Sequence, residues 1–255
     1  MFSIIIPNYN NEEYLDRLFD SINRQTFQDY EIIFVDDCST DNSILIAKTW
    51  KDKYLKDKIQ IKILNEKRWN GGARNVGLQY RNMEKHPYTL FIDSDDIFSS
   101  NESLSFIATI IKNNKNPDLI RLPYNWCGDE NRFVNLTDQT TPQLLVSACD
   151  VACWTKCVKS ELVVKFPECT LMEDVVQHLA QIDNIETMAV VTKPIIDWNR
   201  KNSHSCSTEA GKNLKWDSSF YRYIADLMDL ELKKDFVREE RDKRLAQALY
   251  GLKKH

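Results

Sequence analysis

The stretch Tyr88-Thr89-Leu90-Phe91-Ile92 is rich in strand formers and ends at once in Asp93-Ser94-Asp95-Asp96, three carboxylates within four residues. A buried strand that delivers acids at its carboxyl end belongs at the rim of an open α/β sheet, where such sheets bind ligands. Two carboxylates about 4 Å apart repel by roughly 4 kcal/mol at an effective dielectric near 20. A hard divalent ion offsets that repulsion, and Mg²⁺ or Mn²⁺ suits oxygen ligands while keeping positions open for a substrate diphosphate. The same residues also have the composition of a polar turn capping the next helix, so their surroundings decide.

Those surroundings repeat the theme. Phe2-Ser3-Ile4-Ile5-Ile6 reads as a buried first strand stopped by Pro7, and a loop rich in turn formers follows it through Asn11. Leu15, Leu18, Phe19 and Ile22 recur at helical spacing behind Glu12, with Asn11 placed to cap the helix. Glu31-Ile32-Ile33-Phe34-Val35 is a second buried strand, again ended by acids, Asp36-Asp37. A helix over residues 42–54 and an alternating strand at Ile59, Ile61 and Ile63 come next, then Gly71-Gly72-Ala73-Arg74 opening another helix. The glycine pair is either a tight helix entry or a close-approach point for a diphosphate or ribose near a helix N-terminus. Strands alternating with helices to about residue 110 predict βαβ crossovers and a mostly parallel, Rossmann-like sheet. The chain divides on this reading into a nucleotide-binding type of layer (1–110), a second part of the same domain (111–205) and a C-terminal helical extension (206–255).

The second half is read more coarsely. Residues 118–125, 132–136, 151–158, 188–193 and 195–198 read as strands of a second, smaller sheet, carrying Tyr124, Trp126 and Trp154, aromatics that serve a core or a sugar face. Thr170 precedes Glu173 by the spacing of a capping box, which gives Glu173 a structural role and leaves Asp174 unassigned. A polar, basic loop from Asn199 through Ser207 offers Arg200 or Lys201 to a phosphate, with His204 a weak metal candidate. The stretch 236–255 mixes basic and apolar residues, as an ordinary amphipathic helix or a membrane-surface contact does.

Composition excludes more than it assigns. With 42% hydrophobic and 28% charged residues and a net charge of -4, the chain is a folded domain with no basic footprint for nucleic acid. Seven cysteines without a secretory signal or a membrane-length apolar run predict reduced thiols in a cytoplasmic protein. Cys149, Cys153 and Cys157 are evenly spaced, yet no Cys-x-x-Cys pair supports zinc. There is no Gly-x-Gly-x-x-Gly after the first strand and no P-loop, which argues against dinucleotide oxidoreductases and P-loop nucleotidases.

Taken together, Ser3-Ile4-Ile5-Ile6-Pro7-Asn8-Tyr9-Asn10, Gln25-Thr26-Phe27, the second strand through Asp41, Gly72-Ala73-Arg74-Asn75 and Asp93-Ser94-Asp95-Asp96 resemble the family-2 glycosyltransferases of GT-A fold. The match covers the first hundred residues almost continuously, fades beyond 110 and returns at Glu173-Asp174, which looks like the family's pair carrying the catalytic base. Cys38 departs from the pattern, where the family usually has Gly. The resemblance implies an inverting transfer from a nucleotide-sugar to an acceptor hydroxyl on a glycan or lipid-linked glycan, with Mn²⁺ or Mg²⁺, at the inner face of the membrane. By position, Pro7, Tyr9 and Asp37 would hold the base with Arg74 nearby. Asp93 and Asp95 would handle ribose and diphosphate, Asp95 or Asp96 would ligate the metal, and Asp174, with Glu173 beside it, would be the catalytic base. An ionised Asp37 can only accept hydrogen bonds, so it suits uracil or thymine, whose N3 carries a proton, and not cytosine; UDP-sugars lead over TDP-sugars. A sugar-phosphate nucleotidyltransferase is the competing enzyme class, but Pro7 through Glu13 lacks the glycines and basic residues of a triphosphate loop. A non-catalytic binding module is the other alternative, against which every expected acid is present.

Overall fold

A computed structural model describes residues 1–128, 130–138, 140–146, 151–168, 172–202 and 218–252. The first strand, β1 (Phe2–Asn8), lies parallel to β2 (Tyr30–Asp36), which in turn pairs with β3 (Ile59–Ile63). Helices α1 (Glu12–Asn23), α2 (Ser43–Lys53) and α3 (Trp69–Gln79) connect the strands, and β4 (Tyr88–Phe91) returns to the other side of β1. Every residue of β1 and β4 is buried, as expected where crossover helices cover both faces of a parallel sheet. Because the chain leaves β1 in both directions, the carboxyl ends of β1 and β4 flank a topological switch point, and the crevice there is where open α/β sheets take their ligands.

The sheet does not stop at residue 110. Beyond β5 (Ile97–Phe98) and α4 (Ser103–Asn113), β6 (Leu119–Arg121), the antiparallel β9 (Lys156–Lys159) and β10 (Met188–Val190) extend it to seven strands, in the order β10-β6-β9-β4-β1-β2-β3. A second sheet has the order β5-β11-β7-β8, built on β7 (Tyr124–Cys127), β8 (Arg132–Val134) and β11 (Ile196–Asn199). The single strand expected over 118–125 is therefore two, one in each sheet. Pro123 lies at the break, where it offers no N–H to a ladder and its carbonyl instead accepts from the Ile195 N–H at 2.8 Å. Likewise, the strand expected over 151–158 begins as a 3₁₀ turn, Cys153–Thr155. Pro7 does not end β1. It pairs opposite Val35 on the β2 side, past the last β1–β4 pair at Ile5 and Phe91, where a missing N–H costs no ladder bond to β4.

A second apolar cluster joins α5 (Pro142–Val146), α6 (Glu173–Asp183), α7 (Ser218–Met228) and α8 (Asp235–Leu252) against the β6–β9 end of the sheet. Phe236, Val237, Leu245 and Ala248 of the C-terminal stretch pack into this cluster, leaving Leu249 and Tyr250 exposed. Most of its apolar side chains are thus committed to protein contacts. Among the described residues no helix is long and apolar enough to cross a membrane.

Candidate active site

The first loops are cross-braced before they meet any ligand. Asn8 Nδ2 donates to Asp36 Oδ1 at 2.9 Å, and Asp36 Oδ2 accepts the Ser39 N–H at 2.9 Å, so the turn after β2 is tied to the end of β1. Asn11 does not cap α1 with its side chain; its Nδ2 donates to Ser94 Oγ at 2.7 Å and links the first loop to the acid loop after β4. Asp41 takes over instead, accepting the Glu12 N–H at 2.9 Å, while Glu12 Oε2 accepts from the Asn42 N–H at 2.7 Å. Asp37 is buried at the end of β2 and accepts the N–H groups of Arg68 and Trp69 at 2.6 and 2.8 Å, one on each oxygen. Each oxygen keeps a further lone pair for a ligand.

Between these residues Cys38 holds a backbone φ of 66°, a left-handed conformation that glycine adopts at little cost and other residues do not. Its Sγ–H donates to the Leu64 carbonyl at 3.3 Å, a weak bond in partial return. We expect Cys38→Gly to stabilise the protein by about 0.5–1 kcal/mol, the relief of the left-handed strain less the added freedom of the unfolded chain. The urea unfolding midpoint reads this directly, and a lower midpoint would mean that the thiol contact outweighs the strain.

The centre of the crevice is Arg74. Its side chain is fully buried, with Nη2 donating to Asp93 Oδ1 at 2.8 Å and Nη1 donating to Glu173 Oε1 at 3.1 Å and Asp174 Oδ1 at 3.2 Å. The sequence placed Arg74 near the base; the structure places its guanidinium between the acid of β4 and the two acids of α6. Two local features bring α6 within reach. Asn75 clamps the Phe166 backbone in both directions, Nδ2 donating to the carbonyl at 2.9 Å and Oδ1 accepting the N–H at 2.8 Å. Gly71 lets that chain come close, since a Cβ there would stand 2.9 Å from the Pro167 carbonyl oxygen. Gly71 thus admits a neighbouring protein segment, while a Cβ at Gly72 would stand 2.5 Å from that of Arg68, the crowding expected of the tight helix entry that the sequence offered beside a diphosphate or ribose approach.

Burial opposes the charge on Arg74, and the groups around it restore it. Cys153 is among them, but burial keeps that thiol neutral, so the three carboxylates are what hold the guanidinium. Glu173 is pushed up to about 7, first by burial and then by the charge of Asp174, with Arg74 pulling the other way. It does not cap α6. The helix begins at Glu173 itself behind Met172, whose φ is 60°, so Glu173 stands too early for a capping box and its carboxylate turns to Arg74. Thr170, the other half of that expected box, lies outside the described residues, as do Cys149 and His204.

Asp95 and Asp96 part company. Asp95 is partly exposed and its Oδ2 accepts from Asn202 Nδ2 at 2.8 Å; burial and the charge of Asp93 raise its carboxyl above the usual range. Asp96, expected as the alternative metal ligand, is 0% exposed and its Oδ1 accepts the Asn199 N–H at 2.8 Å. Burial first, then Asp95 and Asp93, drive it well towards the neutral acid. Through Oδ1 it braces the acid loop against β11, while its buried Oδ2 has no hydrogen-bond partner among the described residues. The pair Asp93 and Asp95 carries the negative excess that a divalent ion would offset, so the residues fit Mg²⁺ or Mn²⁺ held through Asp95. Among the described residues no three His, Cys, Asp or Glu side chains form a ready-made ligand set, and such an ion would draw its remaining ligands from a diphosphate and water, as these ions commonly do.

Of the other expected site residues, Pro7 is buried in β1, Tyr9 is exposed at the crevice mouth, and Arg200 lies over the rings of Trp126 and Trp198 at 4.9 and 4.6 Å from their centroids. Asn202 and Arg17, whose guanidinium donates to the Asp95 carbonyl, were not singled out by the sequence. Asn202 sat unremarked in the polar loop, while Arg17 looked like one more exposed helix charge.

The family model of glycosyl transferase family 2 matches residues 3–149. The chain is 35% identical over 115 residues to the poly(ribitol-phosphate) β-N-acetylglucosaminyltransferase TarS of Staphylococcus aureus, covering 43% of this chain and 18% of that protein. It is 33% identical over 116 residues to the UDP-Glc:α-D-GlcNAc-diphosphoundecaprenol β-1,3-glucosyltransferase WfgD of Escherichia coli, covering 45% of this chain and 42% of that protein. The chain thus spans less than half the length of either relative. Residues 1–349 of S. aureus TarS in complex with UDP-GlcNAc share the fold, with a TM-score of 0.75 at 22% identity over 97% of this chain and 71% of that one. The family model matches more than half of the chain, which therefore belongs to glycosyl transferase family 2.

Proposed function

We propose that this chain transfers a hexosyl or N-acetylhexosaminyl group from a UDP-sugar to an acceptor hydroxyl with inversion, in the synthesis of a surface polysaccharide or related glycan. The observation that carries the reading is Arg74, which ties the acid at the end of β4 to the acid pair opening α6 within one crevice. Asp37 accepts the N3–H of uracil, which selects UDP over CDP, with TDP second. Asp93 holds the ribose, and Asp95 faces the diphosphate. An ion bound at Asp95 would stabilise the negative charge of the leaving diphosphate. Asp174 takes the proton from the acceptor hydroxyl as it attacks the anomeric carbon, and Arg74 keeps that carboxylate oriented. The acceptors in the names of the two relatives, a poly(ribitol-phosphate) and a diphosphoundecaprenol-linked sugar, support a polymer or lipid-linked acceptor, which we place on the cytoplasmic side, at the inner face of the membrane.

The direct test is a panel of UDP-sugars assayed for metal-dependent hydrolysis without acceptor, beside UDP and nucleoside triphosphates titrated with and without Mn²⁺. Asp95→Asn abolishes the enhancement of UDP affinity by Mn²⁺ while the metal-free protein melts no lower than the parent, since the substitution relieves repulsion with Asp93. A variant that keeps the full enhancement removes Asp95 from the metal site. Preference for a triphosphate over UDP would return the chain to the nucleotidyltransferase reading.

A further inference from the structure

Trp69, the first residue of α3, has a backbone φ of 59°, a conformation that is a genuine outlier for so bulky a side chain, yet its indole is 46% exposed. Burial does not explain a strained, exposed tryptophan. Strain of this kind gathers at ligand clamps, where the surrounding structure imposes it. Here the imposing group is Asp37, which holds the Trp69 N–H at 2.8 Å and the Arg68 N–H at 2.6 Å.

Across the mouth of the same crevice stands Tyr9, exposed to 41%. The Lys67 ammonium lies against both rings, 3.1 Å from the Tyr9 centroid and 4.6 Å from that of Trp69. The centroids are therefore no more than about 8 Å apart, a limit that admits the roughly 7 Å a flat heterocycle needs between two aromatic walls in van der Waals contact. Buried Asp37 joins the two segments, its N–H donating to the Asn8 carbonyl beside Tyr9 at 2.8 Å and its carboxylate holding the Trp69 N–H, with lone pairs left to accept a hydrogen bond from a ligand edge.

We propose that Trp69 is the second wall of the nucleobase slot, opposite Tyr9, and that Lys67 plugs the slot until the base displaces it. The occupant is a pyrimidine base with a protonated N3, read by Asp37 at its edge and by two π-faces on its sides. This assignment rests on the UDP-sugar reading above, and it makes Trp69 a specificity-determining residue that contacts the donor far from the reacting carbon.

The test exploits the strain. Trp69→Gly keeps the backbone N–H to Asp37, removes the wall and relaxes a left-handed residue. The melting temperature should therefore rise by about 2–4 °C, while the Kd for UDP in calorimetric titration of the full chain weakens about tenfold, the scale of one base–aromatic stack. Trp69→Phe should keep the affinity within about threefold of the parent. A purely structural role would move stability and affinity together. Lys67→Gln should tighten binding of uridine, which carries no phosphate to attract the ammonium, by about two- to fivefold, the scale of an exposed cation–π contact. UDP affinity unchanged in Trp69→Gly, with Asp37→Asn still weakening it, overturns the second wall and leaves the UDP reading standing. Absence of UDP binding by the parent overturns both. Uridine affinity unchanged or weakened in Lys67→Gln overturns the plug.

Discussion

Replacing Asp174 with Asn lowers the turnover of sugar transfer by about 10²-fold or more, the usual scale of a lost general base, and leaves UDP affinity within about threefold of the parent. The amide is isosteric, and its oxygen still accepts from Arg74 Nη1, so orientation survives while basicity does not. Glu173 is the rival base, because burial has pushed it up to about 7, where a base is well matched to neutral pH. Access argues for its neighbour: the Asp174 side chain is 24% exposed and that of Glu173 11%. Near neutrality, moreover, much of Glu173 is protonated and offers no lone pair charge to an incoming hydroxyl. Glu173→Gln should cost less turnover and leave the pH dependence of the rate in place. If Glu173→Gln is the inactive variant, and the parent rate falls tenfold per pH unit below about 7, the base is Glu173 and the roles are exchanged.

The layers of the fold were readable because parallel strands buried on both faces are continuous apolar runs, and β1, β2 and β4 are such runs ending in Asn, Asp or Asp-rich loops. What stayed hidden depended on contacts between residues far apart in the chain. Arg74 meets Asp174 across 100 positions, and it does so because Asn75 clamps the Phe166 backbone, a pairing that no local pattern announces. The spacing of Thr170 and Glu173 satisfied a local rule, yet the helix starts at Glu173, whose carboxylate is drawn to a buried guanidinium instead. Asp96 has a bracing role that its row of acids did not show, because the N–H that its Oδ1 accepts belongs to Asn199, 103 residues on. Trp69 was silent for a third reason: its interest lies in a backbone angle, and the residue at that angle is not a glycine.

Arg74→Met should be the most damaging substitution to the fold itself. Methionine roughly fills the space, but it leaves Asp93, Glu173 and Asp174 facing one another with no cation between them. Removing one partner from a buried ion pair costs about 3–5 kcal/mol, which in a protein of this size lowers the melting temperature by roughly 10 °C. The loss must also depend on pH. Arg74 is what pulls Glu173 down against burial and the charge of Asp174, so without it the Glu173 carboxyl titrates higher still in the folded state. An acid whose folded pKa lies above its unfolded value of about 4.5 costs stability as pH rises from that value through the folded pKa, because the unfolded chain can ionise and the folded one cannot. The deficit of Arg74→Met relative to the parent should therefore be largest at pH 8 and shrink as pH falls towards 5, where Glu173 takes up its proton and stops repelling its neighbours. Arg74→Lys should fall between the two, since an ammonium restores the charge but cannot fork between Asp93 on one side and the α6 pair on the other. Urea unfolding midpoints at pH 5, 6.5 and 8 measure all three proteins, and a deficit that is the same at every pH would show that Arg74 acts through packing against Phe166, whose ring it overlies at 5.2 Å, and not through the charges it separates.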